Sequence, residues 1–163
     1  MKFFKLFCIS VCLSLVACSP SEQDQVKQPA VAFEASDECH VCGMVIGRFP
    51  GPKGQAFETR SGQMKKFCST MEMIYWYLQP ENRPNVTDLY VHDMAKTPWG
   101  DPQDTHLISA KQAYYVIGSD LQGSMGPTLA SFSTQKAAND FIKDHGGKPI
   151  DFKSLTLTLL SGR

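Results

Sequence analysis

Two cysteines stand three residues apart in Glu38-Cys39-His40-Val41-Cys42-Gly43-Met44, with a histidine between them and a methionine two positions on. Three chemistries use thiols at this spacing. A redox dithiol needs its leading thiol at a helix N-terminus, which lowers the pKa; here Gly43 and the strand-like Met44-Val45-Ile46 follow instead. Structural zinc takes four N or S donors in a closed tetrahedron, commonly from two such half-sites. Only one half-site is present, and Cys68 with a histidine would have to complete it. Cu(I) is selected by soft thiolate and thioether sulfur, and methionine is a poor ligand for zinc. Two methionines favour that third reading. On an extended strand Met44 leaves the same face as Cys42. Met125 lies in the loop Gln122-Gly123-Ser124-Met125-Gly126-Pro127, where no helix or strand period asks for an apolar side chain.

The other donors divide by context. Cys39, Cys68, His92 and Met94 are further candidate ligands, Cys68 because it immediately precedes a helix start, where a thiol pKa can fall. His40 follows Cys39, so its side chain can face away from Cys42. Met71 falls on the apolar face of that helix and is expected in the core, whereas Met64, ahead of two lysines, is expected at the surface. His106 and His145, at a strand entry and a helix end, are expected to be satisfied or solvated.

What these thiols mean depends on compartment. The chain opens with Lys2 and Lys5, an apolar run to Ala17, then Cys18 and polar residues, the pattern of an export signal too short to span a bilayer. Leu15-Val16-Ala17-Cys18 resembles the lipobox of bacterial lipoproteins. That resemblance implies cleavage after residue 17, acylation of Cys18 and, with Ser19 beside it, outer-membrane sorting in a Gram-negative cell. Residues 18–30 read as a polar, flexible tether. Of six cysteines, Cys8 and Cys12 leave with the signal and Cys18 carries lipid, so three remain: Cys39, Cys42 and Cys68. An odd thiol in an oxidising compartment needs a reason to persist. The chain carries 16 basic and 16 acidic residues; removing Lys2 and Lys5 leaves 14 against 16, a charge near −2. No basic run or stripe suited to nucleic acid is present. Nor is there an acid–base pair, nucleophile constellation or phosphate loop that would support catalysis.

The elements that must position these residues read as an α+β fold. Apolar spacing gives a helix that starts at Ser69, with Glu72 in capping-box position, and ends at Pro80. A second begins at Ser131-Phe132-Ser133-Thr134, with Ala137, Ala138, Phe141 and Ile142 on one face, and stops at Gly146-Gly147. Strand-like runs flank each: 44–46, 55–59 and 89–92 about the first, 113–118, 128–130 and 154–159 about the second. The pattern reads as two tandem ββαβ units, 31–95 and 96–163, with an internal duplication hinted at by the shared Phe-Ser-Thr helix entry.

Several motifs then fall in one order: C-x-x-C-G-M, Gly51-Pro52-Lys53-Gly54, Phe67-Cys68-Ser69, Val91-His92-Asp93-Met94, Tyr115-Val116-Ile117-Gly118-Ser119, and Met125-Gly126 ahead of Ser131-Phe132. Together they resemble the NosL family of nitrous-oxide reductase accessory lipoproteins over nearly the whole exported chain. The resemblance implies a monomeric, periplasm-facing lipoprotein with no enzymatic activity. It would bind one Cu(I) and deliver it for assembly of the copper–sulfur centre of nitrous-oxide reductase, working with an ABC-type maturation complex. It also implies a tandem of two ββαβ units. It carries over Cys42 and Met44 as ligands, Met125 beside them, and leaves a histidine ligand unassigned. A single thiolate with a neutral thioether would hold Cu(I) less tightly than two thiolates, which suits handover. Cys39 is left as a reserve ligand or as a partner for Cys42 in a disulfide that blocks loading.

Overall fold

A computed structural model of the chain describes residues 27–162. The expected signal at 1–17, Cys18 and the tether as far as residue 26 lie outside the described residues. The fold is α+β. Strands β1 (Gly54–Glu58) and β2 (Gln63–Phe67) form an antiparallel hairpin across the turn at Arg60-Ser61-Gly62. Helix α1 (Thr70–Tyr77) follows, and β3 (Val86–His92) returns antiparallel to the other edge of β1. Strand β4 (Leu107–Ser109), from the stretch joining the two halves, pairs with β3 and completes the order β2-β1-β3-β4. The second half runs β5 (Tyr114–Ile117), a small hairpin of β6 (Gln122–Gly123) and β7 (Gly126–Pro127), then β8 (Ala130–Phe132), α2 (Gln135–His145) and β9 (Lys148–Asp151). Its sheet order is β8-β5-β9. In each half the first strand is central and the strands before and after the helix flank it. The two halves thus share a topology.

Local chemistry explains the helices. The Ser69 hydroxyl caps α1 by accepting from Glu72 N–H at 3.1 Å, and Met73, Ile74 and Tyr77 turn the helix's apolar face inward. Gly54 lets α1 lie directly on β1: a Cβ there would come within 2.7 Å of both Cβ and Sδ of Met73. Thr134 caps α2 through Ala137 N–H at 3.2 Å, and Gly146 at φ 66° ends it.

One core joins the halves, with Phe67, Met73 and Leu89 packed in the same cluster as Tyr115, Leu129 and Leu155. Polar pins reinforce the seam. The Ser131 hydroxyl donates to the His92 carbonyl at 2.7 Å, Met94 N–H to the Ser131 carbonyl at 2.9 Å, and Ser133 N–H to Asp93 Oδ1 at 3.1 Å.

Three expectations change. Residues 44–46 do not form a strand: Val45 makes a single bridge to Glu38, and a 3-10 turn, Ile46–Arg48, follows at once. Residues 154–159 end in a short helix, α3 (Leu157–Leu160), capped by Thr156, so the third strand of the second half is β9 instead. Strand β2 covers residues that carry no assigned element, and Met64 within it, expected at the surface, is half-buried.

Candidate metal centre

The loop bearing the first two cysteines closes on itself. Cys39 N–H donates to the Met44 carbonyl and Gly43 N–H to the Cys39 carbonyl, both at 2.9 Å, and Gly43 takes φ 70° to allow it. His40 N–H donates to the Lys66 carbonyl at 2.8 Å, docking the loop on the outer edge of β2. That edge leads through Phe67 into Cys68 and the start of α1. Three thiols from two segments are thereby brought to one place. Glu72, in the first turn of α1 and four residues beyond Cys68, joins them.

Ligand atoms of Cys39, Cys42, Cys68 and Glu72 all lie within 4.8 Å of one another. Cys42 Sγ and Cys68 Sγ are 3.6 Å apart. Glu72 Oε2 accepts from the Cys68 thiol at 2.9 Å and from Cys39 at 3.2 Å. All three cysteines are free thiols; Cys39 and Cys68 are buried, while Cys42 and Glu72 are half-buried. The carboxylate of the expected capping box therefore serves the thiols, and only its backbone N–H serves the cap.

The thiols differ in acidity. A hydrogen bond from the Cys68 thiol draws the Cys39 pKa down to about 4 against the opposing effect of burial. Cys68, as that donor and as a buried group, has its pKa raised, opposite to the lowering expected beside a helix start. Burial also raises Cys42 and Glu72. The Cys39 sulfur, 3.2 Å from Glu72 Oε2, adds to the rise that burial causes in the carboxyl, and the hydrogen bond from Cys68 opposes it.

The remaining candidates fall at varying distance from this cluster. Met44 is half-buried against the main core beside Cys42. Cys42-Gly43-Met44 is a hydrogen-bonded loop, so the shared strand face expected for Cys42 and Met44 does not apply. Met125, at the turn between β6 and β7, is 58% exposed. Its neighbour Ser124 has a buried hydroxyl with no hydrogen-bond partner among the described residues, and this hydroxyl adjoins Cys68, whose thiolate it favours. Through Ser124 the hairpin adjoins the centre at Cys68, and Trp99 Nε1 braces it by donating to the Gln122 carbonyl at 2.9 Å. His92 is fully buried with both ring nitrogens engaged: Nδ1 accepts from Lys53 N–H at 3.1 Å, and Nε2 lies 3.1 Å from Asp104 Oδ1. Met94 packs in the smaller cluster with Val116, Ala130 and Phe132. The described structure brings neither to the thiols. His40 packs edge-on against Phe67 and Trp76.

Glu72 is the site residue that sequence reading missed. Its signal was present: residues i and i+4 share one side of a helix, so a helix starting just after Cys68 sets Glu72 beneath that thiol.

The sequence model of the NosL family matches residues 29–160. The chain belongs to the NosL family. It is 49% identical over 155 residues to the copper-binding lipoprotein NosL of Stutzerimonas stutzeri, covering 95% of this chain and 80% of that protein. It is 31% identical over 153 residues to the copper-binding lipoprotein NosL of Achromobacter cycloclastes, covering 91% of this chain and 79% of that protein. Its fold is similar to the crystal structure of the copper chaperone NosL from Shewanella denitrificans, with a TM-score of 0.78 and 44% identity over 80% of this chain and 97% of that one. In this member of the family the donor set is rich in sulfur: three thiols and one carboxylate, with Met44 in the same loop as Cys42.

Proposed function

We propose that this chain is a copper chaperone that carries Cu(I) in the periplasm, anchored through acylated Cys18 to the outer membrane. It delivers the ion for assembly of the copper–sulfur centre of nitrous-oxide reductase, with an ABC-type maturation complex as its working partner. The observation that carries this reading is the convergence of three free thiols on one point within 4.8 Å, with Met125 exposed at the adjoining hairpin tip. Soft sulfur selects a soft monovalent ion. Relatives that are a copper-binding lipoprotein and a copper chaperone support the same cargo. Cys42, Met44 and Met125 are the handover ligands: a thiolate and two neutral thioethers on the open side, from which an incoming sulfur or imidazole can displace one ligand at a time. The chain is a carrier and not a catalyst.

A second reading has one observation in its favour. Three thiolates and a carboxylate oxygen also fit the four positions of a tetrahedral zinc site. Anaerobic competition separates the two. A Cu(I) carrier takes up about one ion per chain, prefers Cu(I) to Zn(II), and loses more than about 100-fold in affinity in Cys42→Ala, since removing a direct ligand exceeds the 10- to 100-fold typical of outer-shell loss. Preference for zinc, or Cu(I) affinity unchanged in Cys42→Ala, would overturn the proposal.

A further inference from the structure

A carrier must keep its ion through transit and yet give it up, and one fixed ligand set serves those needs poorly. The centre is graded in depth. Cys68 and Cys39 lie at 0% and 2% exposure, Cys42 is half-buried, and Met125 stands 58% exposed next to Ser124, at the tip of the hairpin that adjoins Cys68. The three sulfurs are also spaced for a single ion. Metal–thiolate bonds of about 2.3 Å place sulfurs roughly 4 Å apart around a trigonal or tetrahedral centre; here Cys42 and Cys68 are 3.6 Å apart and every pair is within 4.8 Å.

The geometry points to two copper positions that share Cys42: an inner one among Cys39, Cys42 and Cys68, where Cu(I) rests, and an outer one at Cys42, Met44 and Met125, from which it leaves. Cys42 is the pivot, because it alone is both within reach of the buried thiols and partly open to solvent. When the ion enters the inner position, thiol protons are displaced to solvent and no electrons are transferred. Glu72 is a positioning residue: its Oε2 holds the Cys68 and Cys39 thiols toward a common centre through contacts of 2.9 and 3.2 Å. Tight retention and ready release are thus assigned to different ligand sets on one chain. This inference rests on the proposed Cu(I) cargo and adds to it where the ion rests.

The test uses the full chain with its methionines replaced by selenomethionine, loaded anaerobically with less than one equivalent of Cu(I). X-ray absorption at the copper edge then separates cysteine sulfur from methionine selenium without altering the fold. Two or three sulfurs per copper are expected; a single sulfur accompanied by selenium would overturn the inner position. Cys39→Ser and Cys68→Ser, checked for fold by circular dichroism, are each expected to raise the Cu(I) dissociation constant against a chromophoric chelator at least about tenfold. Wild-type affinity in both folded variants would overturn the inference as well. Failure of the wild-type chain to take up Cu(I) removes the proposed cargo and this inference together, whereas uptake that ignores Cys39 and Cys68 removes this inference alone.

Discussion

Two buried polar clusters sit at opposite edges of the first sheet, and they use their donors in opposite ways. At the β3–β4 edge, His92 has a protein partner on each ring nitrogen, and Asp104 accepts through both oxygens, Oδ2 taking Phe33 N–H at 2.7 Å. At the β2 edge, two thiols, Cys39 and Cys68, meet a single carboxylate oxygen, and the third, Cys42, meets Cys68. Thiols are weak hydrogen-bond donors and weak acceptors, so this second cluster gains little from its internal contacts. Full mutual satisfaction marks the first cluster as part of the fold. Convergence of weakly bonded soft donors marks the second as built for something absent from the protein chain. Residue type alone would not have separated them, since His92 and Cys68 were both candidate ligands.

Breaking the first cluster should have the larger effect on stability. His92→Ala removes a fully buried ring and leaves Lys53 N–H and Asp104 Oδ1 without their partner, a loss of about 3 kcal/mol in chemical denaturation. The folded fraction is expected to take up copper as the parent does. Loss of copper without loss of stability would instead place His92 among the ligands and erase the contrast between the clusters.

Acid should separate the clusters by what is lost. Burial lowers the His92 pKa, so below about pH 6.5 the unfolded chain gains a proton that the folded chain resists. This contribution to stability is complete above the unfolded pKa and falls away as pH drops through it. Copper affinity should change over a higher range. Cys42 and Cys68 have raised pKa values and hold their protons at neutral pH, so each must release one on metallation. Between about pH 8 and pH 6, affinity therefore falls by about tenfold per pH unit for each thiol displaced. A slope near one means that one of these two thiols is metallated, and a slope near two means that both are.

The contrast also explains what could be read from sequence. Both main helices, the Ser69 cap, and strands β1, β3 and β5 were legible because period and capping chemistry agreed. Strand β2 was obscured by Lys65 and Lys66, whose apolar stems lie half-buried while their charges suggest surface. The alternation Leu155-Thr156-Leu157-Thr158-Leu159 imitates a strand, but the Thr156 hydroxyl accepts from Leu159 N–H at 3.2 Å and starts a helical turn. At the centre, the three cysteines could be selected by type and count, yet their meeting depends on the His40–Lys66 backbone bond that docks the loop on β2, a pairing with no local signature. Glu72 was hidden because one residue plays two parts, backbone to the cap and carboxylate to the thiols.

The smallest effect gives a close comparison, because the two halves share a helix cap of the same kind. Ser69 and Thr134 each accept from the N–H three residues on, at 3.1 and 3.2 Å, and replacing either by alanine should cost about 1 kcal/mol of stability. Only one of these caps fixes a functional side chain. Ser69 holds the N–H of Glu72, whose carboxylate gathers Cys39 and Cys68, and it directly follows Cys68 in the chain. Ser69→Ala should therefore weaken Cu(I) retention several-fold, about the 1 kcal/mol lost from the cap. Thr134→Ala, at the same place in the second half but away from the thiols, should lower stability by a similar amount and leave retention unchanged. Equal copper losses in the two variants would mean that general stability governs the centre, and that the first turn of α1 has no particular part in shaping it.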